Sequence, residues 1–287
     1  MPGVDGELAR RYREDGVVRV DRAFDGAWVD KMRVAVDQAL DNPGQYTMDI
    51  DRGKPGRYVF DTWLWPLFPS FREIAFESPA AAIGAAIMGA ERVNLVFDFI
   101  SVKEPNSDKP TAWHQDAPGN PVEGPQAMSM WIALDEVTPE SGALRFIRGS
   151  HLWGRRFEPR GSGDVTAHES YRGRGEYEAR PEGLEDMPDV DADADAYDIV
   201  TIGARPGDAI VFDMLMCHAA GSNGTSRRRR AIGLRFAGER ATYAVRSTRL
   251  SIHPKVDVGL EHGAPFPPDP EHHIFPQIWS CRPPAGA

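Results

Sequence analysis

Trp113-His114-Gln115-Asp116 lies between a stretch that reads as a strand and a proline-rich loop. In an extended chain successive side chains alternate faces, so His114 and Asp116 are expected on one face and Gln115 on the other. One imidazole and one carboxylate on a common face offer two arms to a metal ion. The candidate for the third arm is His218, which ends Phe212-Asp213-Met214-Leu215-Met216-Cys217-His218. Two histidines and one carboxylate leave about three of six octahedral positions open, the donor set of non-haem Fe(II) sites. A His-x-Asp triplet alone decides little. Its setting decides more, since it falls at a predicted strand end, with His218 in a second predicted strand and Arg229 at the start of a third.

Strand-like patterning dominates from residue 93 onward. Strands are predicted over 93–102, 111–116, 127–134, 142–147, 199–202, 209–212 and 231–237. The first ninety or so residues read differently. A short helix over 8–15 and a strand over 16–20 precede an amphipathic helix opened by Asp25 and carrying Trp28, Val29, Met32, Val36 and Leu40. Residues 46–68 are irregular and aromatic, with Tyr58, Phe60, Trp63, Trp65 and Phe68 either packing helices on a sheet or walling a pocket. An alanine-rich helix over 80–88 is bracketed by Ser78-Pro79 and Gly89. The polar stretch 154–197 is long for a structureless loop and is expected to be a mobile flap near the site. The tail from His253, with Pro265, Pro267, Pro268 and Pro270, is expected to run extended over the surface. Helices first and many short strands after suggest a mainly β fold, a barrel or jelly roll with flanking helices. A single domain over 1–287 is expected, with a helical part over about 1–90, a β core over about 91–240 and a tail over about 250–287.

With 287 residues, 41% hydrophobic and 26% charged, the composition is that of an ordinary globular protein. No run is long and apolar enough for a membrane helix, and residues 1–7 lack a basic and apolar leader pattern, so a cytoplasmic protein is expected. Cys217 and Cys281 have no metal-binding spacing and are expected to be free thiols, Cys217 as a small core residue. The net charge of -10 argues against a nucleic-acid partner despite the run Arg227-Arg228-Arg229-Arg230. A His-Glu-x-x-His helix, a cysteine pair and a glycine-rich phosphate loop are all missing, which disfavours zinc hydrolysis and nucleotide chemistry. His151, His168, His253, His262, His272 and His273 have no partner at metal spacing and read as structural or surface residues.

Four stretches together resemble the phytanoyl-CoA dioxygenase family of Fe(II)- and 2-oxoglutarate-dependent oxygenases. They are Asp15-Gly16-Val17-Val18, Trp113 to Asp116, Trp131-Ile132-Ala133-Leu134-Asp135 through Thr138-Pro139-Glu140-Ser141-Gly142 to Gly149-Ser150-His151, and Pro206-Gly207-Asp208 through His218 to Arg229. The resemblance implies a double-stranded β-helix, a cupin-like jelly roll. It implies that His114, Asp116 and His218 hold iron, and that Arg229 takes the distal carboxylate of 2-oxoglutarate. A planar guanidinium suits that task because it offers two parallel donors to a carboxylate. Trp131 and Lys103 fall on strands that line the site in the family; by themselves they read as a core ring and a solvated charge. Arg229 shares a strand face with Ala231, Gly233 and Arg235, small residues that leave room for a ligand, so Arg235 can also enter the barrel and meet an acid group or form a structural ion pair. Arg227, Arg228 and Arg230 read as a solvated turn. The family often has Gly-Ser just after the second histidine; Ala219-Ala220 stand there, and one hydrogen bond to the co-substrate is missing with the serine.

The implied reaction is hydroxylation of a small or mid-sized metabolite, with O2 consumed and 2-oxoglutarate converted to succinate and CO2. Related halogenases lack the carboxylate ligand, so Asp116 favours hydroxylation or another oxidation over halogenation. The competing expectation is a jelly roll that binds a ligand without turnover.

Overall fold

The computed structural model of the chain describes residues 4–158, 183–246 and 256–281. Gly6–Asp15 (α1) starts where the Asp5 side chain accepts from the Leu8 N–H, and ends where Gly16 takes φ 81°, a left-handed turn that glycine makes without strain. Val17–Val20 (β1) leads to Gly26–Asp41 (α2), capped in the same way by Asp25 on the Trp28 N–H. Met48–Ile50 (β2) and Tyr58–Thr62 (β3) pair with each other, and Pro69–Glu77 (α3) and Ala80–Met88 (α4) follow. The remaining strands are Arg92–Lys103 (β4), Thr111–His114 (β5), Val122–Glu123 (β6), Ala127–Ala133 (β7), Leu144–Ile147 (β8), Ile199–Ile202 (β9), Ala209–Asp213 (β10), His218–Ala220 (β11), Arg229–Gly238 (β12), Thr242–Tyr243 (β13) and Gln277–Ser280 (β14).

Among the described residues the strands form a large sheet in the order β1-β10-β7-β12-β4-β3-β2, with β14 also on β4, and a smaller sheet in the order β5-β11-β8-β9. β7 is buried at every residue and β4 at all but its first, which requires cover on both faces of the large sheet. Helix α4 packs on β4, β7, β12 and β14, and α2 on β12, so the helices supply one cover. The smaller sheet supplies the other. Between the sheets lies a cavity lined from the large side by Ser101, Trp131 and Arg229 and from the small side by His114, Leu144 and His218. This is the two-sheet jelly roll expected from the strand pattern.

Several local expectations are corrected. Residues 46–68 are not irregular throughout: β2 and β3 pair in the register Met48 with Phe60, and β3 adds to β4 with Tyr58 opposite Lys103. Asp61 and Thr62 are buried in β3 and break its apolar pattern, which hid the strand. Helix α3, with Phe71, Ile74 and Ala75 buried, had no side-chain cap to announce it. The tail does more than cover the surface. Phe266 and Phe275 are core residues, and β14 extends the large sheet against Val93 and Asn94. In the stretch expected to be a flap, Met187 and Val190 pack with Trp113, Ile147 and Phe157 beside the small sheet, and Arg155 pairs with Glu185 at 2.6 Å. Residues 159–182 of that stretch lie outside the described residues.

Candidate metal centre

Strand β5 ends at His114, two residues short of Asp116, and Asp116 has helical angles of φ -76° and ψ -45°. Simple alternation therefore does not bring the two side chains together. The turn into the short helical segment Ala117–Gly119 does so instead. His218, first residue of β11, lies directly opposite His114 across the β5–β11 pair, with the two rings 4.1 Å apart. His114 Nε2 is 3.6 Å and His218 Nε2 3.9 Å from Asp116 Oδ1. The three ligand atoms all lie within 4.8 Å of one another, close enough to hold one metal ion. Gln115 points elsewhere, donating to the carbonyls of Arg155 and Leu215 and accepting from the Phe157 N–H.

The surroundings fix which atoms face inward. His114 Nδ1 is 2.8 Å from the Ala112 carbonyl and His218 Nδ1 3.0 Å from that of Met216. Each Nδ1 thus donates to backbone, and each Nε2 keeps its lone pair for a metal. Asp116 Oδ2 accepts from Ser129 Oγ at 2.7 Å and from Arg235 Nη2 at 2.8 Å, so Oδ1 faces the imidazoles. Burial alone pushes the Asp116 carboxyl upward, but Arg235 and the two histidines outweigh it and hold the group well below the usual carboxylate range. Burial, with His114 beside it, pushes His218 down to about 3 and keeps it neutral. The neutral His218 imidazole and the ionised Asp116 carboxylate are in the protonation states that a divalent metal needs.

At the other end of the cavity Arg229 is 2% exposed and stacks 5.5 Å from the Trp131 ring. Its Nη1 reaches only Ser101, at 3.3 Å to Oγ and 3.4 Å to the carbonyl, and its Nε is buried with no acceptor. Burial pushes Arg229 down to about 10. Among the described residues no carboxylate pairs with it, and an arriving anion would fill that role. Lys103 is not the solvated charge it was expected to be: it is fully buried opposite Arg229, donates to the Gly221 carbonyl at 2.6 Å and does not line the cavity. Burial, then Arg229, pushes its amine down to about 6. Trp131 does line the cavity, as do Ala219 and Ala220, which bring no side-chain donor.

The space above Gly233 is not left for a ligand, since a Cβ there would fall 1.8 Å from the Phe99 ring. Arg235 enters the barrel, and the acid it meets is Asp116. Arg228 and Arg230 are not simply solvated: Arg228 pairs with Glu104 and Asp37, and Arg230 with Asp135 and Asp37. The arginine run therefore presents no bare basic patch. Ser129 was missed by sequence reasoning, although a hydroxyl between Met128 and Met130 in an apolar strand, two residues before Trp131, signals a buried partner. His151, His262, His272 and His273 make backbone contacts away from the triad, and His168 and His253 lie outside the described residues. Cys217 is buried and Cys281 exposed, both as free thiols. A larger groove, about 260 Å³, lies at Trp65, Arg72 and His272, and no triad residue lines it. Among the described residues no helix is long and apolar enough to cross a membrane.

A curated relative, the phytanoyl-CoA dioxygenase domain-containing protein 1 homolog of Caenorhabditis briggsae, is 30% identical over 128 residues. That match spans 42% of this chain and 42% of the relative, less than half of its length. Among solved structures, the non-haem alpha-ketoglutarate-dependent epimerase SnoN from nogalamycin biosynthesis superposes with a TM-score of 0.70 at 24% identity, over 95% of this chain and 97% of that one. The carbocyclase SnoK from nogalamycin biosynthesis gives 0.71 at 24% identity, over 96% and 97%. EctD from S. alaskensis, solved with 2-oxoglutarate and 5-hydroxyectoine, gives 0.66 at 18% identity, over 91% and 89%. These likenesses establish the double-stranded β-helix as the shared fold. The family model for phytanoyl-CoA dioxygenase (PhyH) matches residues 12–231, a span that contains the triad, Arg229 and every strand of the smaller sheet, and the chain belongs to that family.

Proposed function

We propose that the chain, acting as one unit over residues 1–287, is an Fe(II)- and 2-oxoglutarate-dependent oxygenase that hydroxylates a small or mid-sized metabolite. The observation that carries this reading is that one cavity is lined both by the histidines of the His114-Asp116-His218 cluster and by Arg229, a buried arginine with which no described carboxylate pairs. The residues present fit the two groups. Two imidazole nitrogens and one carboxylate oxygen match the facial set of non-haem Fe(II), with positions left open for a chelating ligand and O2. Arg229 matches a carboxylate, and a dicarboxylic keto acid carries one such group beyond the end that would chelate the metal.

When bound, Fe(II) and 2-oxoglutarate supply the oxidising chemistry: substrate R–H, O2 and 2-oxoglutarate become R–OH, succinate and CO2. The chain's own residues do the remaining work. His114, Asp116 and His218 hold one face of the ion, and the backbone acceptors at Ala112 and Met216 fix the imidazole tautomers. Ser129 and Arg235 orient the carboxylate. Arg229 sets the direction of the co-substrate, and Ser101 and Trp131 hold Arg229. Phe99, Phe212 and Trp131 exclude water from the cavity, which protects a reactive oxidant from side reactions. The fold does not choose the outcome by itself, because it also carries an epimerase and a carbocyclase. Asp116 favours hydroxylation or another oxidation over halogenation, because it occupies the position whose loss gives related halogenases their halide site.

The test is succinate release from 2-oxoglutarate with Fe(II) and O2, over a panel of polar metabolites, in wild type and His114→Ala. Release in wild type and none in the variant is expected. A wild type that binds Fe(II) and 2-oxoglutarate yet releases no succinate with any of them would favour a ligand-binding jelly roll.

A further inference from the structure

Arg235 is a second buried guanidinium lining the same cavity, and orienting Asp116 uses only one of its nitrogens. The side chain is 6% exposed and wedged among rings, its guanidinium carbon 4.5 Å from the centre of Phe99 and 5.8 Å from those of Phe97 and Phe212. One of its nitrogens, Nη2, donates to Asp116 Oδ2. Its Nε and Nη1 are buried with no acceptor. Buried donors without partners are uncommon, and a pair of them on one charged group in a cavity wall implies an acceptor that arrives with a ligand.

The position of these donors limits what that acceptor is. Arg235 stands one hydrogen bond from a carboxylate whose other oxygen faces both imidazoles. A group held by a metal on the side of Asp116 would therefore be its neighbour, whereas Arg229 is six residues away at the far end of β12. The proposed reaction already places one anion beside the metal, the carboxylate next to the ketone of the co-substrate.

We infer that Arg235 is a positioning residue with two tasks: it ties down Asp116 Oδ2 so that a single oxygen meets the metal, and it donates from its free Nη1 to the keto-acid carboxylate of the co-substrate. The inference rests on the oxygenase reading. On this account the cavity grips 2-oxoglutarate by both carboxylates through different arginines, Arg229 at the distal end and Arg235 at the metal end. Lysine cannot replace Arg235, because its ammonium lacks the planar fork that reaches two carboxylates at once.

The experiment separates the two ends with two keto acids. Pyruvate carries the keto-acid carboxylate and no distal one; 2-oxoglutarate carries both. Each is titrated anaerobically into Co(II)-loaded protein, with the Co(II) absorption as readout, for wild type, Arg235→Gln, Arg235→Lys and Arg229→Gln. Arg235→Gln is expected to weaken pyruvate and 2-oxoglutarate alike, by about tenfold or more, the scale of a lost charge-assisted hydrogen bond. Arg229→Gln is expected to weaken 2-oxoglutarate by a similar or larger factor and to leave pyruvate within about threefold, since pyruvate never reaches it. Arg235→Lys keeps the charge and serves if the glutamine variant does not fold; it too is expected to weaken both. Pyruvate affinity equal to wild type in an Arg235 variant that still binds Co(II) would overturn the inference and leave Arg235 serving Asp116 alone. Failure of wild type to bind Co(II) would instead overturn the oxygenase reading beneath it.

Discussion

The two ends of the cavity solve the problem of buried charge in opposite ways. At the metal end charges are matched within the protein: Asp116 has Arg235, Ser129 and two imidazoles around it. At the far end Arg229 and Lys103 sit side by side with carbonyls, one hydroxyl and aromatic rings, and no described carboxylate pairs with either. The metal end is thus organised before any ligand binds, while the far end is a desolvated positive site waiting for an anion. A ligand-free protein keeps such a site only at the expense of stability. The contrast is what a co-substrate with an anionic tail would exploit.

The largest effect is expected from breaking the matched end. Asp116→Ala removes a ligand atom and leaves Arg235 buried without its counter-charge. Metal binding should be lost, and the fold should be destabilised by about 3–5 kcal/mol, the usual result of removing one partner from a buried pair. Metal titration and urea unfolding read the two effects. The equivalent change at the other end should have the opposite sign. Arg229→Met replaces an unpaired buried cation with an apolar chain, and the ligand-free protein should gain about 1 kcal/mol or more in urea unfolding. If Arg229→Met loses as much stability as Asp116→Ala, the far end has a partner and the comparison fails.

A smaller change sharpens the metal end. Ser129→Ala takes one of two restraints from Asp116 Oδ2 and should weaken metal affinity by about tenfold, the lower range for residues that orient ligands. The smallest effect concerns pH. Burial pushes Lys103 from 10.5 down to about 6, so between these values the unfolded chain binds a proton that the folded protein does not. Folding stability contributed by this group therefore rises with pH across that window. Lys103→Met should remove this contribution, so its gain over wild type in urea unfolding should be larger at about pH 6.5 than at about pH 9. An equal gain at both values would mean that Lys103 is charged in the folded protein.

Much of the site was legible in the sequence, for different reasons at different residues. His114 and His218 were found from strand pattern, and the cross-strand register then placed them face to face. Asp116 was found by a route that fails in detail, because the strand ends at His114 and a turn, not alternation, returns the carboxylate. Arg229 came from resemblance; the apolar strand around it supplied only the face. What the sequence did not reveal is pairing between distant elements. Ser129 and Arg235 lie on β7 and β12, directly opposite each other, and both reach an aspartate that no local pattern connects to them. Lys103 was misread for the same reason: its burial depends on Tyr58 and Gly221, which come from strands and turns far along the chain. The fold class followed from many short strands, but β2, β3 and β14 escaped because they are short or carry polar residues inward.

The central claim is that one cavity holds a metal at one end and the anionic tail of 2-oxoglutarate at the other. Anaerobic titration of the Fe(II)-loaded protein with 2-oxoglutarate, followed through the visible charge-transfer absorption of a keto acid bound to Fe(II), tests it in wild type and Arg229→Met. A saturable band is expected in wild type, with a midpoint shifted upward by about tenfold or more in the variant, the scale of a lost bidentate carboxylate contact. No band in an iron-loaded wild type, or the same midpoint in both proteins, would contradict it.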